Sequence, residues 1–179
     1  YEPGEHDPLF ARFDWRQLES AELALCPPFV VITEPRPDGA DADSRLAAVL
    51  DLVTSGRPLK VVVLHTSWRP DRAETGHAAA LRNLDDVTLL FLALRNVFFV
   101  QTSAASPTPM AERIGQGLDS PQPAVLSVFA HGSGRKDVLR RAAAALASRD
   151  FPHLLYDPER APAFVACLDI ADNPEPAAR

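Results

Sequence analysis

Four short apolar runs recur along the chain, and each run is continuous rather than alternating with polar residues. They cover residues 29–33, 60–66, 97–102 and 124–130 and are rich in valine, phenylalanine and other β-branched or aromatic residues. A continuous run of this length predicts a strand that is covered on both faces of a sheet. Two later apolar pieces, residues 154–156 and 164–170, indicate an additional strand or an extended packing segment.

Between these runs the apolar residues follow a helical period. The first pattern begins near Asp43 or Ser44 and stops at Gly56, and the second spans about residues 77–95. The third begins with Ser106 as N-cap and Pro107 as its first residue, a preferred start for a helix. Its predicted inward residues are Met110, Ile114 and Leu118.

A fourth helical pattern follows the last long apolar run. Its predicted inward stripe consists of Val138, Leu139, Ala142 and Leu146, while Arg140 and Arg141 face outward. Strands that alternate with helices of this length predict right-handed βαβ crossovers. We therefore expect a doubly wound α/β fold with a mostly parallel sheet and helices on both faces. We assign residues 1–26 to an N-terminal lead segment, 27–171 to a single α/β domain and 172–179 to a polar tail.

Charge and length exclude several classes of function. With 179 residues the chain has room for one substantial core, and its net charge of −6, without a basic stripe, disfavours binding to nucleic acid or to acidic membrane surfaces. The longest apolar run, residues 87–100, is broken by Arg95 and Asn96 and is too short to span a membrane.

The two cysteines, Cys26 and Cys167, cannot by themselves hold an iron–sulfur cluster or a structural zinc ion. We expect small buried thiols in a cytoplasmic protein, with a disulfide between them as the alternative. The first residue is Tyr1, so we interpret the chain as a piece of a larger protein.

The residues that follow the strands are the candidates for chemistry, because ligands of open α/β sheets bind beyond the carboxyl ends of the strands. Asp38 follows the first predicted strand and Thr66 the second. A carboxylate and a hydroxyl from adjacent loops are oxygen ligands that suit Mg²⁺ bound to a diphosphate. The alternative is that both are ordinary loop residues, since Asp-Gly is a common turn.

A longer set of residues carries a resemblance to a known family. Asp38-Gly39, Asp43, Ser55-Gly56 and the strand ending in Val63-Leu64-His65-Thr66 align without a gap on one domain of that family. The family has Gly-Asp-Gly-Trp-x-x-Asp-Ile-Gly, then a helix, Ser-Gly, and a strand ending in Val-Leu-Asp-Thr. The chain resembles the thiamine-diphosphate domain of pyruvate:ferredoxin oxidoreductases and related 2-oxoacid oxidoreductases. Three later stretches, residues 96–101, 122–126 and 151–158, resemble the same domain in the same order.

The resemblance implies a site for thiamine diphosphate and Mg²⁺. Its metal ligands would be the Asp38 carboxylate, the Thr66 hydroxyl and the backbone carbonyl of Trp68, while Gly39 and Asp43 would shape the diphosphate loop. The family places this cofactor between two domains, so the resemblance also implies other domains or subunits as partners, and we expect homo-oligomers. No catalytic residue is assigned to this chain, which would not be active alone and would hold no iron–sulfur cluster.

The chain departs from the family pattern inside the cofactor loop, and this supports a second hypothesis. Pro37 replaces the first glycine, Ala40 the tryptophan, and Ser44-Arg45 the Ile-Gly pair. Proline fixes φ and donates no N–H, whereas glycine allows the backbone to approach a phosphate. The second hypothesis is a non-catalytic structural or interaction module that kept the fold and lost the cofactor.

Two further candidate sites are visible in the sequence. The stretch 131–136, His-Gly-Ser-Gly-Arg-Lys, runs from a strand into a helix and is a candidate anion loop, but it lacks the spacing of a P-loop. His65, Ser67 and Asp71 include the residue types of a catalytic triad without its usual motif. We therefore interpret His131 as a polar loop residue and expect no triad.

Overall fold

The computed structural model describes residues 2–14, 17–23, 25, 29–34, 42–55, 59–66 and 86–175. The strands are β1 (Phe29–Thr33), β2 (Leu59–His65), β3 (Phe98–Ser103), β4 (Ala124–Phe129), β5 (Leu154–Tyr156) and β6 (Leu168–Asp169). The helices are α1 (Pro3–Phe10), α2 (Ser20–Leu23), α3 (Ala42–Thr54), α4 (Asp86–Leu94), α5 (Pro107–Asp119) and α6 (Arg135–Ser148). A 3₁₀ helix, Phe164–Cys167, precedes β6.

The strands form one open sheet in the order β1-β2-β4-β3-β5-β6. The first four are parallel to their neighbours, whereas β5 pairs antiparallel with β3 and β6 antiparallel with β5. The predicted α/β class with a mostly parallel sheet is therefore confirmed. The two late apolar pieces contribute the antiparallel strands, and these extend the sheet beyond β3.

Helices cover both faces of the sheet. On one face Val49 and Val53 of α3 and Phe91 of α4 pack with sheet residues such as Val61 and Phe99. On the other face α5 packs Ile114 and Leu118 against the alternate residues of the same strands, Phe98, Val100 and Leu126. This alternation along β2, β3 and β4 explains why their apolar runs are continuous, because both sets of side chains are buried.

Helix α5 lies close to the sheet because Gly117 faces it. A Cβ atom at this position would lie 2.5 Å from Cδ2 of Leu126, so any larger residue would require the buried Leu126 side chain to shift. The other end of α5 follows the prediction, with Ser106 as N-cap and Pro107 in the first turn. The buried residues of this helix are Arg113 and Gly117.

Helix α6 differs from its predicted stripe at one position. Ala142, Ala145 and Leu146 are buried, whereas Leu139 is 40% exposed. Ala142 and Ala145 pack against Phe129 and Phe151, and the small alanines bring this part of the helix close to those rings. The prediction favoured leucine over alanine as the buried residue, but the close packing buries Ala145 and leaves Leu139 exposed.

Strand β1 forms one edge of the sheet and exposes apolar side chains, so the prediction of a strand covered on both faces is wrong for residues 29–33. Phe29 is 76% exposed and Ile32 is 65% exposed, and Val30 is also exposed. Its only sheet neighbour among the described strands is β2. An exposed apolar edge strand is typical of a surface that another protein segment covers.

Two buried polar residues support the fold away from the predicted site. Lys60 of β2 donates from Nζ to the carbonyl oxygens of Ser120 and Gln122, at 2.5 and 2.7 Å, just beyond the end of α5. Burial lowers the pKa of this lysine to about 8. Cys167 is a buried free thiol and donates to the Ala161 carbonyl at 3.0 Å, which agrees with the prediction of a small buried residue.

No described helix has the length and apolar character needed to cross a membrane.

Candidate functional site

The predicted cofactor residues follow β1 and β2, which are adjacent and parallel with Thr33 beside Val63. Thr66 directly follows β2 and is half-buried. Asp43 lies in the first turn of α3, but its side chain is outside the described part of the structure. Asp38, Gly39 and Trp68 lie outside the described residues altogether.

The best-defined polar group at this edge of the sheet is built around His131, which follows β4. Its Nδ1 donates to the backbone carbonyl of Thr66, and its Nε2 accepts from Nη1 of Arg141 at 3.1 Å. Arginine only donates hydrogen bonds, so Nε2 is the acceptor in this pair and Nδ1 is the donor to the Thr66 carbonyl. His131 therefore connects the end of β2 with the first turns of α6.

Asp137 holds the other side of this arginine. Its carboxylate accepts from Nε of Arg141 at 2.9 Å and from Nη2 of Arg140 at 2.7 Å. The Arg140 guanidinium, the Ser133 N–H and Arg141 together hold the pKa of the Asp137 carboxyl well below its usual range. We call Thr66, His131, Asp137 and Arg141 the edge cluster.

The loop before α6 contains its own anion. The backbone N–H of Ser133 donates to Asp137 Oδ2 at 3.2 Å, so the carboxylate caps the start of the helix. Gly132 has a φ of 153° there, and a Cβ atom would lie 2.7 Å from the Val138 nitrogen. The candidate anion loop at residues 131–136 is thus built around an internal carboxylate, which would repel a bound phosphate.

His65 contacts a serine, although a different one from that considered in the sequence. A hydrogen bond of 2.8 Å joins His65 Nε2 and Ser127 Oγ of the neighbouring strand β4. Ser127 is fully buried, and the edge of the Phe151 ring packs on the imidazole. This pair holds β2 and β4 together and does not present a nucleophile to solvent. Ser67 and Asp71 lie outside the described residues.

A second polar group was missed by the sequence reasoning. Arg113 of α5 and His153, just before β5, are both buried, and each has a side-chain nitrogen without a hydrogen-bond partner in the described part of the chain. The signal for Arg113 was its position between Met110 and Gly117, within the inward stripe of the helix. His153 precedes the apolar strand β5 and alternates with it as Phe151, His153 and Leu155.

The described residues contain no group of three or more His, Cys, Asp or Glu side chains placed to hold a metal ion. The edge cluster contains two oxygen groups of the kind that Mg²⁺ prefers, the Asp137 carboxylate and the Thr66 hydroxyl. The carboxylate already accepts from Arg140 and Arg141. The Thr66 carbonyl already accepts from His131, so the hydroxyl is the group that this residue would contribute to a metal site.

Comparison with protein-family models and with curated proteins finds no match for this chain.

Proposed function

We propose that this chain binds Mg²⁺ and the diphosphate of thiamine diphosphate at the carboxyl ends of β1 and β2, and works with a partner domain in a 2-oxoacid oxidoreductase-like protein. The observation that carries the proposal is the parallel pairing of β1 with β2. In the sequence Asp38 follows the last residue of β1 by five positions and Thr66 follows β2 by one. The carboxyl ends of these two parallel strands lie at the same end of the sheet. The family spacing requires this arrangement.

The start of α3 adds support. Helix α3 begins at Ala42, so the loop that carries Asp38 leads from the end of β1 into the amino end of a helix. Backbone N–H groups at such an end favour negative charge, which is why diphosphates bind there. In this proposal Asp38, Thr66 and the Trp68 carbonyl hold the metal, and Gly39 and Asp43 shape the loop. When bound, thiamine diphosphate supplies the carbanion chemistry for decarboxylation of the 2-oxoacid.

The edge cluster would position Thr66 in this site. His131 holds the Thr66 carbonyl, and Arg141 and Asp137 hold His131, so the peptide that bears the hydroxyl is fixed from α6. The exposed apolar strand β1 is the surface on which we propose that the partner domain or a second copy of the chain packs. The buried free thiol of Cys167 supports the reducing cytoplasm as the proposed location.

A second candidate function is a non-catalytic interaction module with the same fold. The substitutions at Pro37, Ala40 and Arg45 favour it, because they replace family residues in the cofactor loop. The exposed strand β1 fits this function equally well, since a module that assembles with other domains needs such a surface. The two functions differ in whether the ligand binds at all.

Calorimetric titration of the full chain with thiamine diphosphate, with and without Mg²⁺, separates them. If this chain forms its half of a cofactor site shared with a partner domain, here called the half-site, binding should depend on Mg²⁺. It should be lost in Asp38→Ala and weakened at least tenfold in Thr66→Val. Thr54→Val is the matched control, because Thr54 lies on the exposed surface of α3 and bonds only to the Leu50 carbonyl of its own helix. At about 100 times its Kd the ligand should stabilise the fold by roughly 2.7 kcal/mol.

Absence of binding at millimolar ligand would rule out the half-site on this chain alone. The double variant Pro37→Gly/Ala40→Trp then tests the module directly, since it restores two family residues. Binding gained by this variant, and not by the native chain, would identify a domain that lost its cofactor by substitution in the loop.

A further inference from the structure

Two buried polar atoms on the β3 side of the sheet have no hydrogen-bond partner among the residues that the structure describes. They are Nη1 of Arg113 and Nε2 of His153, in residues that are 5% and 0% exposed. A buried polar atom without a partner costs about 1–3 kcal/mol, and charged groups cost more. Two such atoms in one region indicate groups that a ligand could satisfy.

Arg113 is held by the chain segment that follows β5 and the 3₁₀ helix. Its Nη2 donates to the Ala171 carbonyl at 3.0 Å and to the Asp172 carboxylate at 3.2 Å, and Asp169 lies at 3.9 Å. The Nη1 group makes none of these bonds. The guanidinium therefore uses one side of its planar fork on an internal carboxylate and leaves the other side unused.

His153 is fixed by its neighbours in a similar way. Its Nδ1 lies 3.2 Å from the Thr102 hydroxyl, and Asn173 bonds to both its backbone N–H and its carbonyl at 2.7 Å. Burial, and then the charge of Arg113, lower the pKa of the ring, while Asp172 acts in the opposite direction. When the Thr102 hydroxyl donates to Nδ1, the ring proton is on Nε2, and Nε2 becomes a second unused donor.

The same short segment contacts both residues. We call residues 170–174, which follow β6, the C-terminal strap; its Asp172 and Ala171 bond to Arg113, and its Asn173 bonds to His153. Arg149 of the turn after α6 also donates to the Pro174 carbonyl at 2.7 Å. Every one of these contacts is polar, and the Asp172 side chain is half-exposed. The strap can therefore leave the surface without uncovering a large apolar core.

The pair also lies at a favourable place in the fold. Thr102 is near the carboxyl end of β3, and α5, which follows β3, packs on the sheet face that includes Leu126. Helix α6, which follows the neighbouring strand β4, packs on Phe129, whose side chain points to the opposite face because strand residues alternate. Adjacent strands whose following helices pack on opposite faces form the crevice in which open α/β sheets bind ligands.

We propose that Arg113 and His153 form a binding site for a small carboxylate, that Asp172 of the C-terminal strap is its built-in occupant, and that an external carboxylate binds when the strap lifts. The fork of Arg113 receives the two oxygens of the carboxylate, as arginine does in bidentate pairs. Nε2 of His153 donates a further hydrogen bond to one of them. The site shares no residue with the edge cluster and is independent of thiamine diphosphate.

Removal of the internal carboxylate tests the site. Asp172→Asn removes one charge and suits the local backbone, because Asp172 has a φ of 67° and asparagine tolerates this region. Glu175→Gln is the matched control, since it removes one charge from the same end of the chain without touching Arg113. The probe is sodium acetate at pH 7 and constant ionic strength, and the readout is the NMR signals of the His153 ring.

The expected result is that Asp172→Asn binds acetate at least tenfold more tightly than the native chain and the Glu175→Gln variant. Adding Arg113→Lys to Asp172→Asn should abolish the gain, because lysine keeps the charge and loses the planar fork. Thr102→Val provides a second test with a smaller perturbation of packing, and it should weaken acetate binding by removing the donor to Nδ1.

Three results would overturn the proposal. The first is an Asp172→Asn chain whose His153 signals do not respond to acetate. The second is an equal response to chloride, which would show a non-specific effect of anions and no recognition of a carboxylate. The third is tighter binding of inorganic phosphate than of acetate, which would reject a carboxylate site in favour of a phosphate site.

Discussion

The two polar groups of this domain differ in how completely their hydrogen bonds are satisfied. In the edge cluster both ring nitrogens of His131 have partners, and the Asp137 carboxylate accepts from two arginines and a backbone N–H. In the buried pair, Arg113 and His153 each retain an unpartnered nitrogen. The edge cluster lies half-buried at the surface, whereas the buried pair lies beneath the C-terminal strap.

This comparison shows that the number of hydrogen bonds of a polar residue does not by itself give its contribution to the free energy of unfolding. Water reaches the edge cluster and can replace any bond that a substitution removes, so its charged pairs contribute little to stability. Water does not reach the unpartnered atoms of the buried pair. Each group there either keeps its internal partner or bears the full desolvation penalty. Substitutions in the buried pair should therefore have the larger effects.

The largest expected effect is that of truncating His153. His153→Ala leaves a cavity in the core and removes the partner of the Thr102 hydroxyl, which together should cost about 3 kcal/mol. His131→Ala, the same change in the half-buried edge cluster, should cost about 1 kcal/mol. Urea unfolding of both variants measures the difference. Equal losses of unfolding free energy in the two variants would contradict a larger contribution of the buried pair to stability.

A smaller effect is expected from the arginines. Arg113→Gln should reduce the stability of the domain by about 2 kcal/mol and increase hydrogen exchange of the C-terminal strap, since Asp172 loses its partner. Arg141→Gln should leave the strap unchanged, because Arg141 bonds to Asp137 and His131 instead. Exchange measured by mass spectrometry on peptides covering residues 170–174 distinguishes the two variants. Faster exchange in both variants would indicate that the whole domain is destabilised, and would contradict a specific bond between Arg113 and the C-terminal strap.

The smallest effect is a dependence of stability on pH. The pKa of His153 is lower in the folded chain than its ordinary value of 6.5, chiefly because the ring is buried. Below about pH 6.5 the unfolded chain binds a proton that the folded chain does not, so stability falls as the pH is lowered. The slope from one group is at most about 1.4 kcal/mol per pH unit.

Denaturation between pH 7.5 and 5 with His153→Gln and His131→Gln tests this assignment. The first variant should flatten the acid decline, whereas the second should keep it. An acid decline that persists unchanged in His153→Gln would assign the titration to another group. Asp172 opposes the shift in His153, so Asp172→Asn should steepen the decline.

The strands and most helix limits could be predicted from the sequence for a simple reason. Burial on both faces makes β2, β3 and β4 continuous apolar runs, and these runs show in any reading of the chain. The start of α5 was equally visible, because Ser106 and Pro107 form a local signal that depends on no distant residue. The inward stripe of α6 was predicted with one error at Leu139, since close packing favoured Ala145 there.

The candidate site residues also differ in whether a local sequence pattern or only a long-range contact reveals them. Thr66 is predicted as a site residue from its place after a predicted strand, and in the structure it directly follows β2, which pairs parallel with β1. Its role in a cofactor site stays a prediction. The partnership of Thr66 with His131 was not visible, because it joins residues 65 positions apart. Asp38, Gly39 and Trp68 remain predictions, as does the cofactor that they would bind.

The segments that become strands and helices follow from the local sequence, because hydrophobic periodicity and capping residues act over a few positions. Tertiary structure alone decided that β4 lies between β2 and β3, and that two antiparallel strands extend the sheet beyond β3. It also brought Arg113, His153 and the C-terminal strap together across 20 to 59 positions of chain. Such pairings depend on strand order and packing, which follow from the sum of many weak long-range contacts rather than from any local pattern.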